Sequence, residues 1–180
     1  MPEREPADLD GEVAAAGYDS YCGIYCGACD TLLANEQGGV IALAREWKRT
    51  VDELRCGGCR SSVNSVFCRN CEMRRCARTR RIQFCYECAD FPCTRLVSFR
   101  NDQHPHHSAV LKNLDDIRAN GLACWLRQQR QRWSCPNCGA RSSWYDRKCV
   151  MCGAGLNDCE ADEKTLPAAP APKPAGGRGE

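Results

Sequence analysis

Cysteine is the residue type in this sequence whose number and spacing point to chemistry, since 17 of the 180 residues are cysteine. Eight of them follow the pattern C-x2-C-x8-C-x2-C-x4-C-x8-C-x2-C-x4-C. Three of the pairs have the C-x2-C spacing at which a tight turn lets two thiolates bind one metal ion. Four sulfurs complete a tetrahedral zinc shell, so this stretch predicts two shells. The eight residues are Cys56, Cys59, Cys68, Cys71, Cys76, Cys85, Cys88 and Cys93.

The simplest ligation assigns the first four of these cysteines to one zinc ion and the last four to another. Interleaved pairing stays open, because sequence spacing alone does not fix which sulfurs share an ion.

A further trio, Cys22, Cys26 and Cys29, has the spacing C-x3-C-x2-C. Radical enzymes use the same spacing to hold a four-iron cluster with one open iron, but they carry it in a long βα barrel, for which this chain is too short. We therefore expect three ligands of another structural zinc, with the fourth ligand supplied from elsewhere. An iron–sulfur or thiol-redox role for the trio is the alternative.

The last cysteine group, Cys135, Cys138, Cys149 and Cys152, reads C-x2-C-x10-C-x2-C. This spacing is typical of a zinc ribbon, in which two knuckles hold short β-strands around one zinc ion. Four protein ligands close the shell, so the metal should be structural. The sequence predicts a separate small module with a β-hairpin here.

Two other residue types bear on metal or ligand binding. All three histidines, His104, His106 and His107, lie in the segment 100–107, and one of them could complete the shell of the trio. A polar loop is the alternative interpretation. The arginine-rich stretch 69–81 could contact nucleic-acid phosphates, form a solvated helix face, or offset the negative charge of thiolate-rich metal sites.

Composition explains why metal should matter for folding. Leu, Ile, Val and Phe make up about 16% of the chain, below the roughly 20% at which a chain struggles to build a core, while the net charge is only +2. A structural zinc can supply about 10–16 kcal/mol of apparent folding free energy. The N-terminus has no apolar signal-peptide segment, and no run reaches membrane-spanning length, so we expect a cytoplasmic protein with reduced thiols.

The elements that must position these groups are mainly helices. Apolar residues recur at steps of three and four, which predicts helices at about 31–54 and 108–132, with interruptions at Gly38-Gly39 and Gly121. The expected fold is a small, metal-stabilised α+β fold, in which a cysteine-rich zinc-binding core with a few α-helices precedes a C-terminal β-hairpin zinc ribbon. The predicted parts are a disordered acidic arm (1–19), a cysteine-rich metal-binding domain (20–132), the zinc ribbon (133–156) and a disordered Ala/Pro-rich tail (157–180).

The run of motifs CGIYCGAC, CGGCR, CRNCEMRRCA and FCYECADFPC, followed by a helix with NL and WL, resembles a prokaryotic cysteine-rich family of unknown function. Some members carry a C-terminal zinc ribbon like RWSCPNCG and WYDRKCVMCG. The resemblance covers about residues 20–155 and implies a cytoplasmic, metal-binding, small α-rich protein without a known activity. Its motifs carry the trio and the eight central cysteines, eleven in all. Eleven is one short of three four-sulfur sites, so one site either recruits another group or keeps an open position.

These patterns favour a zinc-binding protein with mainly structural sites that acts as an interaction or regulatory module with a protein partner. About three or four zinc ions are expected. Iron–sulfur chemistry at the trio is the first alternative, and nucleic-acid binding through 69–81 and the ribbon is the second. A P-loop, a dinucleotide-binding fingerprint, a G-x-S-x-G motif and an H-E-x-x-H motif are all absent from the sequence, which favours a protein that is not an enzyme. No membrane partner is expected, because no apolar run reaches membrane-spanning length.

Overall fold

A computed structural model describes residues 17–173. Most of the predicted acidic arm and the last seven residues of the predicted tail lie outside this range. Within it the chain forms nine α-helices: α1 (Asp30–Gln37), α2 (Val40–Glu46), α3 (Val51–Leu54), α4 (Val66–Arg69), α5 (Glu72–Arg80), α6 (Thr94–Arg100), α7 (Val110–Asn120), α8 (Leu122–Arg132) and α9 (Cys159–Glu163). Short 3-10 helices cover Cys26–Ala28, Cys85–Glu87 and Pro105–His107. None of the helices between residues 17 and 173 combines the length and apolar character needed to span a bilayer.

The predicted α+β fold with a β-hairpin ribbon is wrong. Across the described range the chain forms helices and three isolated β-bridges but no β-strand. Two of the bridges, Ser134 with Arg141 and Lys148 with Gly155, close the two cysteine knuckles. The backbone between the knuckles makes hydrogen bonds to other parts of the chain. The Trp144 amide donates to the Ala28 carbonyl at 3.2 Å, and the Trp144 carbonyl accepts from the Cys159 amide at 2.8 Å. The Trp144 amide and carbonyl are therefore not available for the backbone hydrogen bonds of a β-hairpin.

Glycines end the helices where the sequence predicts interruptions. Gly38 caps α1 with φ 77°, a left-handed conformation that glycine adopts without a Cβ penalty. Gly121 joins α7 to α8 with φ 81° and ψ 157°. Both predicted interruptions are confirmed.

The helix α3 begins at a capping box that comes just before the central cysteines. The Thr50 hydroxyl accepts from the Glu53 amide at 3.2 Å, and the Glu53 carboxylate accepts from the Thr50 amide at 2.8 Å. This short helix ends at the fully buried Leu54, two residues before Cys56.

The core lies where α7 and α8 pack on the loop that carries the cysteine trio. Trp125 and Leu114 are fully buried, and the Tyr25 ring packs edge-on against Trp125 with 5.9 Å between ring centroids. Gly23 lets this loop approach α7 closely, because a Cβ there would lie 2.7 Å from the Val110 carbonyl oxygen. The loop that carries the trio therefore also contributes to the core.

Candidate metal centres

The strongest metal-binding geometry lies at the C-terminal knuckles, which we define as Cys135, Cys138, Cys149 and Cys152. Their four sulfurs all lie within 4.8 Å of one another. The Cys135 and Cys152 sulfurs are 3.5 Å apart, and the Cys138 and Cys149 sulfurs are 3.6 Å apart. A tetrahedral zinc with Zn–S bonds of about 2.3 Å separates its sulfurs by about 3.8 Å. The group can therefore hold a metal ion after a shift of a few tenths of an ångström.

Each knuckle is shaped by the same backbone turn. The Gly139 amide donates to the Cys135 carbonyl at 2.9 Å, and the Gly153 amide donates to the Cys149 carbonyl at 2.8 Å. Both glycines have positive φ, 73° and 74°, so the chain can reverse directly after each C-x2-C pair. This turn brings the two sulfurs of a pair to the same side.

The knuckles are half open to solvent. Cys135 and Cys149 are buried, whereas Cys138 and Cys152 are exposed. The pKa of the Cys152 thiol is lowered to about 6 by a hydrogen bond from the Asn137 side chain, helped by the Ala154 amide. N–H donors aimed at a sulfur favour the thiolate, which is the form that binds metal.

Arg141 fastens the knuckles to the rest of the molecule. Its guanidinium donates to the Glu36 carboxylate at 2.6 Å, to the Tyr18 hydroxyl at 3.0 Å and to the Gly27 carbonyl at 2.8 Å. It also lies over the Tyr18 ring, 4.7 Å from the centroid. The knuckles thus dock on the loop that carries the cysteine trio.

The trio lies against the first half of the central stretch. We call the combined set the seven-thiol group: Cys22, Cys26, Cys29, Cys56, Cys59, Cys68 and Cys71. Burial is the main cause of the raised thiol pKa values of five members, and neighbouring thiolate charges add to it. The five are Cys22, Cys26, Cys29, Cys59 and Cys68.

Within the seven-thiol group, the charges of cysteines from the C-x2-C pairs help to raise the pKa values of the trio. Besides burial, the charges of Cys59 and Cys71 help raise the pKa of Cys22 to about 12. Burial and then Cys59 raise the pKa of Cys26. Burial also raises the pKa of Cys29 to about 11, with the charge of Cys56 adding to it. The charges of the central cysteines thus act on the trio, so the trio is not electrostatically separate from the central stretch.

The remaining central cysteines form the four-thiol group: Cys76, Cys85, Cys88 and Cys93. Burial and the charges of Cys22 and the other three members raise the pKa of Cys85. A cavity of about 480 Å³ opens over Cys76, Cys88 and Cys93. The Arg80 guanidinium donates to the Cys88 sulfur at 2.9 Å and pairs with the Asp90 carboxylate at 2.9 Å.

The seven-thiol and four-thiol groups are more widely spaced than the knuckles. Between residues 17 and 173, only two groups of three or more ligand atoms come within 4.8 Å of one another. One is the knuckles, and the other consists of Asp102, His104 and His107. The eleven cysteines of these two groups therefore do not form the tight tetrahedral arrangement that the knuckles show.

Several arginines of the stretch 69–81 bond groups within the fold. Arg69 donates to the Asp52 and Asn64 carbonyls at 2.7 and 3.2 Å, and the buried Arg74 bonds the Asn64 side chain and the Arg69 carbonyl. Together with the Arg80 contacts, this ties α4 and α5 to their surroundings. Arg75, Arg78 and Arg81 are exposed, and nucleic-acid binding through this stretch stays a prediction.

The histidines do not join the trio. The His106 ring stacks on Trp144 with 4.2 Å between centroids, and its Nδ1 lies 2.6 Å from the Tyr145 hydroxyl. His104 and His107 instead face Asp102. Burial, followed by the charges of its two histidine neighbours, lowers the pKa of His106 to about 3.

Sequence reasoning did not single out Asp102. The pattern D-x-H-x2-H was the available signal, because it places a carboxylate and two imidazoles within six residues. The sequence analysis interprets the histidines either as ligands of the cysteine trio or as a polar loop, and neither interpretation includes the carboxylate that precedes them.

Residues 18–98 match the model of a family described as a protein of unknown function (DUF3795). This match confirms the resemblance to a cysteine-rich family of unknown function, and it includes the seven-thiol and four-thiol groups but not the knuckles. Searches of curated proteins and of solved structures find no match.

Proposed function

We propose that the chain is a zinc-binding protein whose metal sites are mainly structural, and that it works in the cytoplasm as an interaction or regulatory module. The observation that carries this proposal is the spacing of the four knuckle sulfurs at 3.5 and 3.6 Å. That spacing is close to the distance between two sulfurs of a tetrahedral zinc–thiolate site. An all-sulfur set of this kind favours zinc or iron over magnesium or calcium, which prefer oxygen ligands.

Two features support a role in binding rather than catalysis. A four-cysteine shell leaves no coordination position for a substrate, so a zinc ion there stabilises structure. The second knuckle also presents Val150 and Met151, which are 87% and 75% exposed, between two of the ligands. Apolar side chains held on a rigid metal-bound turn offer a surface suited to a protein partner.

The proposal is tested by purifying the full chain without oxygen and measuring its metal content. We expect at least one zinc per chain from the knuckles, and about three or four if the other thiol groups are also filled. Cys138→Ser should lower the zinc content by about one ion per chain, because it removes one of four ligands from an exposed position.

Cys124→Ser is the matched control. Cys124 is the same residue type, but its sulfur is 3.7 Å from the Gln128 side chain and belongs to none of the thiol groups. Zinc content should not change in this variant. A wild-type protein without zinc, or equal losses in both variants, would contradict the proposal, as would mass spectrometry showing the knuckle cysteines paired in disulfides.

Iron–sulfur binding at Cys22, Cys26 and Cys29 is the second candidate, and it is compatible with sulfurs that, unlike those of the knuckles, do not all lie within 4.8 Å of one another. A cluster is larger than a single ion and holds its cysteine sulfurs farther apart. The same anaerobic preparation discriminates the two candidates. Brown protein that contains iron and inorganic sulfide supports a cluster, whereas colourless protein with zinc in the family cysteines excludes it.

A further inference from the structure

A second kind of metal-binding geometry lies in the loop between α6 and α7. The Asp102 carboxylate faces two imidazoles: His104 Nδ1 is 3.3 Å from one carboxylate oxygen, and His107 Nδ1 is 2.9 Å from both oxygens. One ligand atom from each of these three residues lies within 4.8 Å of the other two. No cysteine takes part in this group.

The fold holds these three side chains in place. The His107 ring stacks on Phe99 with 3.8 Å between centroids, and only 13% of its side chain is exposed. The Asp102 carboxylate also accepts from the His104 amide at 2.9 Å, which fixes the loop between them. The group is therefore ordered by ring packing as well as by its own hydrogen bonds.

The third histidine of the loop serves a different purpose. The His106 ring stacks on Trp144 and is hydrogen-bonded to the Tyr145 hydroxyl, so it points toward the knuckle segment. The loop thus separates one structural imidazole from two that converge on a carboxylate. His106 therefore provides a control within the same six residues, 102–107.

We propose that Asp102, His104 and His107 form a nitrogen–oxygen site for a divalent ion of the zinc type, separate from the thiolate groups and with an open coordination position. Two imidazoles and one carboxylate are a ligand set that suits zinc, cobalt, nickel or ferrous iron. Three protein ligands leave a fourth position for water or an anionic ligand. This site goes beyond the structural role proposed for the cysteines and does not depend on it.

The distances agree with this assignment. Zinc bonds of about 2.0–2.2 Å to nitrogen and oxygen separate tetrahedral ligand atoms by about 3.4 Å. The present contacts of 2.9 to 3.3 Å would widen by a few tenths of an ångström. Binding replaces each N–H···O hydrogen bond with a nitrogen–metal bond, and the ring proton moves to Nε2.

The site is open to solvent on one side. The His104 side chain is 50% exposed and the Asp102 side chain is 34% exposed, whereas His107 is packed on Phe99. An ion held here can therefore exchange its fourth ligand without rearrangement of the core. The knuckles, with four protein ligands, provide no such position.

Cobalt(II) distinguishes this site from the thiolate sites. The full chain, purified with its zinc in place, is titrated with cobalt(II) and followed by absorption spectroscopy. We expect about one added cobalt per chain with weak ligand-field bands only, because thiolate ligands would add intense sulfur-to-metal charge-transfer bands. Removal of one ligand in His104→Ala, His107→Ala or Asp102→Asn should weaken cobalt binding more than about tenfold, since even changes outside the ligand shell typically cost that much.

Two matched variants separate ligand loss from disturbance of the loop. His106→Asn removes an imidazole from the same loop, and Asp115→Asn neutralises an exposed carboxylate on α7. Both should bind cobalt as the wild type does. Because His104 is half exposed, His104→Ala should keep the far-ultraviolet circular dichroism of the wild type.

Several results would overturn the proposal. No cobalt uptake by the wild type, together with a zinc content that His104→Ala leaves unchanged, would exclude the site, because a site already filled with zinc would lose that ion in the variant. Charge-transfer bands would place the added ion in the thiolate groups. Equal affinity in the wild type and His104→Ala would show that His104 is not a ligand. A loss in His106→Asn as large as that in His107→Ala would show that the loop, rather than the ligand set, controls uptake.

Discussion

Replacing Arg141 by alanine should lower the free energy of unfolding of the zinc-loaded protein by about 2–3 kcal/mol. The Arg141–Glu36 pair, at 2.6 Å with side chains 23% and 33% exposed, should contribute about 1 kcal/mol after screening by solvent. The bond to the Gly27 carbonyl at 2.8 Å should add about 1 kcal/mol, and the contact with the Tyr18 ring about 0.5 kcal/mol. These terms share one side chain, so their sum is the cost of its removal.

Arg147→Ala is the matched control, because it removes the same residue type from the same segment. Arg147 pairs with Glu160 at 2.5 Å, but its side chain is 66% exposed. Its loss should cost at most about 0.5 kcal/mol. Urea denaturation followed by the fluorescence of the buried Trp133 and Trp144 measures both variants, and the zinc content of each is checked beforehand.

Equal destabilisation in the two variants would refute the reasoning, because it would mean that the buried contacts of Arg141 contribute no more than an exposed ion pair. A loss of cooperativity in Arg141→Ala, with the wild-type zinc content retained, would support the docking. It would show that the knuckles then unfold separately from the trio loop.

Two further predictions concern backbone fit and pH. Gly23→Ala should destabilise the protein by more than about 2 kcal/mol, because a Cβ would lie 2.7 Å from the Val110 carbonyl oxygen at φ 89°. Gly38→Ala, at φ 77° with nothing within 4 Å, should cost only about 1 kcal/mol in the same urea experiment, and similar costs would contradict the clash. Burial raises the pKa of the Cys159 thiol to about 12, so the folded state keeps a proton that the unfolded state releases above about pH 9. Stability should therefore fall from about pH 9 to pH 12, and Cys159→Ala should reduce the loss between pH 9 and pH 10 by about 1 kcal/mol. An unchanged slope would mean that the thiol is not buried in solution.

The local features of the fold could be read from the sequence because they depend on short-range chemistry. The C-x2-C-x10-C-x2-C spacing indicated four sulfurs at one point, and these sulfurs do lie together. The breaks at Gly38 and Gly121 followed from the conformational freedom of glycine. Each of these inferences uses residues that are close in the chain.

The predicted β-hairpin failed because it depends on where distant backbone groups go. Ten residues between two knuckles are enough for a hairpin, but the Trp144 amide and carbonyl pair with Ala28 and Cys159, which lie more than a hundred residues apart in the chain. Spacing carries no information about such partners. The interleaving of the trio with Cys56 and Cys59 was equally open in the sequence, since many pairings of identical thiols satisfy the same spacing.

Trp144 connects the three regions where metal binding is proposed. Its amide bonds the Ala28 carbonyl beside the cysteine trio, it lies between the two knuckles in the chain, and its ring stacks on His106, whose neighbour His107 faces Asp102. The indole therefore packs where the three regions meet. A chain with so few large apolar side chains gains from such shared packing, because an ion bound in one region also stabilises side chains that a neighbouring region contacts.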